Sequence, residues 1–179
     1  ISFNAMGVNN ETIIGVPLVD LDVEKFSLPI SAYTTTYFLT ARAAAKHMIP
    51  NKSGVIMSVS ALPGRVGSPL NGGYGPAMAA KEQMTRDLSM ELAPHGIRVV
   101  GLRPHGIPDS NTIRQVFEAK GKPAGTSWEH FQAYLAGSTH ARRVMTLDEL
   151  ANAAAFVASD NASAMTGTTV NLTLGALAD

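Results

Sequence analysis

The chain has no cysteine. That excludes disulfides, thiolate-held zinc, iron–sulfur clusters and thiol nucleophiles, and it fits a cytoplasmic setting. Net charge is also missing, with 14 basic residues against 14 acidic ones. Arg142-Arg143 is its one adjacent basic pair. A nucleic-acid binder uses a broad basic surface, so no nucleic-acid partner is expected. No apolar run reaches the roughly 18 residues that cross a bilayer, so no membrane is expected. No charged segment followed by an apolar one opens the chain as a leader would. No His, Asp or Glu spacing suits a metal, and no G-x-S-x-G elbow suggests a hydrolase. What remains is 179 residues, 45% hydrophobic and 16% charged, which is one globular domain's worth.

Two kinds of segment alternate. Gly54 to Ser60 is a short apolar run and reads as a buried strand. Stretches 97–102 and 168–172 read the same way, and 1–5 is a fourth strand. Between them lie helical stretches. One runs from Asp22, its N-cap, to about His47, with Pro29 placed deep enough to imply a late start or a kink. A second runs from Tyr74 to Leu92, stopped by Gly96. Thr126-Ser127-Trp128-Glu129 and Thr146-Leu147-Asp148-Glu149 fit capping boxes, opening helices at 128–135 and 147–158. Strand–helix alternation predicts a parallel α/β sheet covered on both faces. The stretch 106–143 reads as an excursion from that sheet, a substrate lid whose inner face carries Trp128, Phe131 and Tyr134.

Residues 54–104 carry the most information. Ser60 ends a strand, Tyr74 opens a helix, and Glu91-Leu92-Ala93-Pro94-His95-Gly96-Ile97-Arg98-Val99 leads into a strand ending at Pro104. This resembles the short-chain dehydrogenase/reductase family. Phe3-Asn4-Ala5-Met6-Gly7 is similar to that family's Asn-Asn-Ala-Gly strand end, and Met165 to Asn171 to its last strand. The resemblance implies a Rossmann-type doubly wound parallel sheet seen from its fourth strand onward. The Gly-rich half that cradles a pyrophosphate has no counterpart here. The chain opens on Ile1, not Met, and reads as one partial domain, 1–179, of a protein roughly 80 residues longer.

The resemblance also implies NAD(P)(H) as cofactor and a catalytic Tyr, Lys, Ser and Asn. Tyr74 fills the first role. The lysine position is Met78, the serine position Ala61 and the asparagine position Tyr33. Nearby replacements are Lys81 and Ser60. Lys81 shares a helix face with Tyr74 but stands about 10 Å further along the axis. Lys81 also reads as a solvated or salt-bridged lysine, Ser60 as a backbone-bonded hydroxyl, and Tyr33 and Tyr37 as packing residues. The cofactor-binding set carried over is Asn4, Ala5, Tyr74, Pro104, His105, Gly106 and Ile107. His105 is either a polar group near the cofactor or a loop residue. His140 beside Arg142-Arg143 is a candidate for an anion.

Two functions stand open. One is an NAD(P)-dependent oxidoreductase with an altered catalytic set, acting on a small-molecule carbonyl or alkene. The other is a non-catalytic binding or oligomerisation module. In either case the family implies a homodimer or homotetramer, joined by the two long helices through Ala32, Tyr33, Thr36, Tyr37, Ala43, Ala79, Ala80 and Met84.

Overall fold

The structure is a computed structural model and describes residues 1–178. Its sheet contains β1 (Ser2–Asn4), β2 (Gly54–Val59), β3 (Ile97–Pro104) and β4 (Thr168–Leu172). They pair in parallel in the order β1-β2-β3-β4. The expected strands are all present. β3 runs two residues past its predicted end, to Pro104.

The central strands are apolar on both faces because both faces are covered. Ile56, Ile97 and Val99 pack against α1 (Val23–Asn51) and α2 (Tyr74–Leu92), meeting Tyr37, Ala41, Ala45 and Leu92. Their sequence neighbours Val55, Met57, Val100 and Leu102 point the other way. They meet Ala154 and Val157 of α5 (Leu147–Ala158). Helices on both faces make the sheet doubly wound.

Several helix ends depart from expectation. α1 starts at Val23 despite Pro29, so no late start occurs, and it runs on to Asn51 with Pro50 in its last turn. The Asp22 side chain makes no cap hydrogen bond among the described residues. The Thr146–Glu149 capping box forms as expected. At α4 (Trp128–Gly137) the cap is Ser127, which accepts from the His130 N–H, and not Thr126. Gly96 ends the turn after α2 with φ +74°, and a Cβ there would lie 2.3 Å from the Lys52 carbonyl oxygen. Only glycine suits both demands.

The excursion after β3 holds more helix than its sequence shows. α3 (Asn111–Val116) is too short for a periodic signal, and a single π-turn, Phe117–Gly121, follows it. Phe117, Trp128 and Phe131 form an aromatic knot, and the Arg114 guanidinium lies 3.7 Å from the Trp128 ring centre. Trp128 and Phe131 therefore pack within the excursion itself. Tyr134, expected on an inner face, is 72% exposed.

The predicted helix surface also needs correction. Tyr33 and Tyr37 lie in the subunit's own core at 6% and 0% exposure. The outward large apolar residues of α1 are Val23, Leu28, Phe38 and Leu39 instead.

Candidate active site

β1, β2 and β3 end side by side, and α2 begins above those ends with Tyr74. Gly73 lets this happen. A Cβ there would fall 2.0 Å from the Phe26 carbonyl oxygen, so only glycine allows the loop to come so close to the start of α1. The approach brings Tyr74 against Tyr33, with ring centres 5.8 Å apart, edge to face. Tyr33 accepts a hydrogen bond from the Val8 N–H at 3.1 Å. Tyr74 is half-buried, and its hydroxyl makes no hydrogen bond among the described residues. Burial, helped by the neighbouring Tyr33, pushes that phenol above its usual value.

The remaining expected residues gather around this pair with different commitments. Lys81 is no solvated lysine, being 1% exposed. Its ammonium donates to the Val59 carbonyl oxygen at 2.6 Å and to Asn4 Oδ1 at 3.5 Å. It lies 5.6 Å from the Tyr33 ring centre and 5.8 Å from that of Tyr37. Burial pulls it down to about 8. Asn4 is buried and donates to Thr40 at 3.1 Å. Ala5, beyond the strand end, is exposed. Ser60 turns its hydroxyl to Glu82 Oε1 at 2.8 Å, and the backbone oxygen of Leu102 lies at 3.5 Å. Met78 is 1% exposed, packed with Ile13, Ile14, Tyr33 and Ala77.

On the β3 side, the loop after Pro104 is held by His105. Its Nδ1 accepts from the Gly106 N–H at 2.6 Å. Its Nε2 meets Ser138 Oγ at 2.7 Å, and Ser138 in turn donates to the Leu135 carbonyl. These bonds require a proton on Nε2 and none on Nδ1, and burial lowers the imidazole's pKa. His105 thereby ties the strand end to α4. Ile107 is buried and Gly106 partly so. The expected anion candidate is dispersed. Arg143 pairs with Glu149 at 2.6 Å, Arg142 donates to the Gly137 carbonyl, and His140 packs over Gly175.

Two features escaped the sequence reading. Glu82 and Arg103 form a buried two-pronged ion pair at 2.7 and 2.8 Å, both side chains 2% exposed. The signal is Arg103, the second of two arginines in the otherwise apolar β3. The second feature is how the excursion seats itself. Lys120 donates to the Pro69 carbonyl at 2.7 Å and to Asn71, in the loop before Tyr74. Asn10 donates its backbone N–H to Gln115 at 3.1 Å and its side-chain amide to the Thr112 carbonyl at 3.3 Å. Val116 and Ala119 thus pack on the cluster that contains Tyr33 and Tyr74.

The family description "Enoyl-(Acyl carrier protein) reductase" matches residues 1–176. Among curated relatives, (+)-borneol dehydrogenase 2 of Salvia officinalis is 29% identical over 89% of this chain and 57% of its own length. The crystal structure of sorbitol-6-phosphate 2-dehydrogenase from Erwinia amylovora is 26% identical, with a TM-score of 0.89 over 99% of this chain and 68% of that one. A gluconate 5-dehydrogenase from Burkholderia cenocepacia, solved with NADP and tartrate, shares the fold at 23% identity and a TM-score of 0.83, over 97% of this chain and 63% of its own. The chain spans a little over half the length of the curated relatives it matches. With the family match spanning nearly every residue and the parallel sheet superposing on such enzymes, the chain belongs to the short-chain dehydrogenase/reductase family.

Proposed function

We propose that this protein is an NAD(P)-dependent oxidoreductase that reduces a carbonyl or alkene, with Tyr74 as its proton donor. The observation that carries this is Tyr74 at the start of α2, against Tyr33 and with its phenol pKa raised by burial. A phenol that stays protonated cannot be the base that oxidation needs, yet it can still protonate the more basic alkoxide, so the arrangement favours reduction over oxidation.

The residues present suit the nicotinamide end of such a cofactor. Of the three N–H groups of Lys81, one has a short acceptor and one a long one. That leaves donor capacity for a ribose hydroxyl. Asn4 and Ala5 at one strand end, and Pro104, His105, Gly106 and Ile107 at another, would flank the ring. A reduced nicotinamide bound there would supply the hydride. The chain's own part is to hold the substrate oxygen at Tyr74, to exclude water with the apolar cluster, and to set the local charge through Lys81.

Lys81 is cationic below about pH 8 and loses its charge above it. In this reading the Lys81 charge eases proton release from Tyr74, and that help fades along the same limb. We expect turnover to fall as pH rises through about 8, and Lys81→Met to remove that limb. The variant's rate below pH 8 should drop about tenfold, the equivalent of one pKa unit on the phenol. A pH–rate profile of the full-length protein measures both. An unchanged limb in Lys81→Met would remove Lys81 from the mechanism.

A second reading has its own observation. Met78 offers no cation beside Tyr74, and Ser60 is bonded to Glu82. Both suit a non-catalytic member that keeps the fold for binding or assembly. Calorimetry with NADH and NADPH separates the two readings, since this one predicts no binding of either. In both readings we propose a homo-oligomer, supported by the outward Leu28, Phe38 and Leu39 on α1.

A further inference from the structure

The surroundings of Tyr74 differ in polarity from what a sugar or a phosphate ester would need. The phenol belongs to a cluster whose members are apolar or aromatic, including Ile13, Ile14, Ala61, Met78, Val116 and Ala119. Three cations around this cluster are committed elsewhere. Lys81 is turned to Val59 and Asn4. Lys120 is turned to Pro69 and Asn71. Arg114 lies flat on Trp128.

The surface beside this cluster repeats the pattern. A cleft of about 330 Å³ opens between the loop after β1 and the excursion, and it shares Ile14 and Ala119 with the Tyr74 cluster. Its charged lining is Glu11 and Glu118, both carboxylates. Glu118 is balanced by Lys122 at 2.8 Å, while Glu11 makes no ion pair among the described residues. An anion there meets a carboxylate, and the one spare N–H of Lys81 is already taken up by the proposed ribose contact. An apolar molecule replaces the contacts of Val116 and Ala119 with equivalent ones and strands no charge.

We infer that the substrate is an uncharged, predominantly apolar carbonyl compound, seated among Ile13, Ile14, Val116 and Ala119, and that anionic and polyhydroxylated carbonyls are excluded. This inference rests on the proposed role of Tyr74, but its test does not require turnover.

The experiment uses the full-length protein and two probes, the bicyclic ketone 2-decalone and the keto-sugar ester fructose 6-phosphate. Their binding is measured by calorimetry with and without NADPH. We expect 2-decalone to bind at least about 100-fold more tightly, since buried polar groups left without partners weigh heavily against a ligand. Ala119→Arg places a cation on the same wall and should cut that preference at least tenfold. Should Ala119→Arg not fold, as judged by circular dichroism, Val116→Lys makes the same test from the neighbouring turn. Comparable or tighter binding of fructose 6-phosphate to the unaltered protein overturns the inference, and so does binding of neither probe. Tyr74→Phe separates the two claims. If it retains 2-decalone binding and turns over undiminished, the proton-donor role fails while the substrate class stands.

Discussion

We expect Tyr74→Phe to lower carbonyl reduction by about 10²–10⁴-fold, the usual worth of a positioned proton donor. The rest of the site should hardly notice the change. Tyr74 contributes its ring to the contact with Tyr33, and phenylalanine keeps that ring. Its hydroxyl makes no hydrogen bond recorded among the described residues, so its loss strands no partner. The fold should be retained, substrate affinity nearly so, and the deficit should appear in kcat and not in KM. Because burial holds the phenol protonated, the unaltered protein should show no loss of rate from phenol ionisation below pH 10. Steady-state kinetics on the full-length protein, with NADH and NADPH, reads each of these. Activity equal to the parent's would withdraw Tyr74 from the chemistry.

The second large effect concerns stability. Arg103→Leu removes the guanidinium that grips both oxygens of Glu82, and leaves a carboxylate 2% exposed with Ser60 as its remaining partner. Breaking a buried pair from one side costs about 3–5 kcal/mol, far more than the net worth of the pair. Replacing both partners, as in Arg103→Leu with Glu82→Leu, should recover part of that loss, because the Glu82 carboxylate is then no longer buried without its guanidinium. The two effects are far from additive, as expected for side chains in contact. Denaturant unfolding of the two singles and the double closes the cycle. A single variant within about 1 kcal/mol of the parent would mean that the pair is not buried in solution.

This ion pair also shows why the site was only partly legible. The strands of the sheet and the span of α2 follow from apolar runs and turn residues, which act over a few neighbours. The match to a known family likewise comes from linear phrases. What a side chain does at a site depends on residues far away in sequence. Lys81 looks like any surface lysine until α1 brings Tyr33 and Tyr37 over it. Ser60 looks like a strand-end hydroxyl until Glu82 arrives from two turns along α2. Tyr33 and Tyr37 pack inside the subunit, and sequence alone does not tell that inward face of α1 from an oligomer surface. The helix α3 was missed because six residues hold less than two periods.

The all-parallel sheet has a consequence for how the chain assembles. Ser2 pairs with Ile56, Gly54 with Ile97 and Val100 with Thr168, so every rung of the sheet joins residues far apart along the chain. No hairpin is available as a seed. Each pairing must close a long loop before any rung forms, and that entropy is lost in advance of the contacts that offset it. Helices α1 and α2 are the segments able to form early, and their mutual packing is the natural platform on which β2 and β3 are laid down. Until then the apolar run from Val55 to Met57 and the run from Val99 to Leu102 have no cover. For this protein the interval between synthesis and a finished sheet is therefore the time of greatest exposure to misassembly.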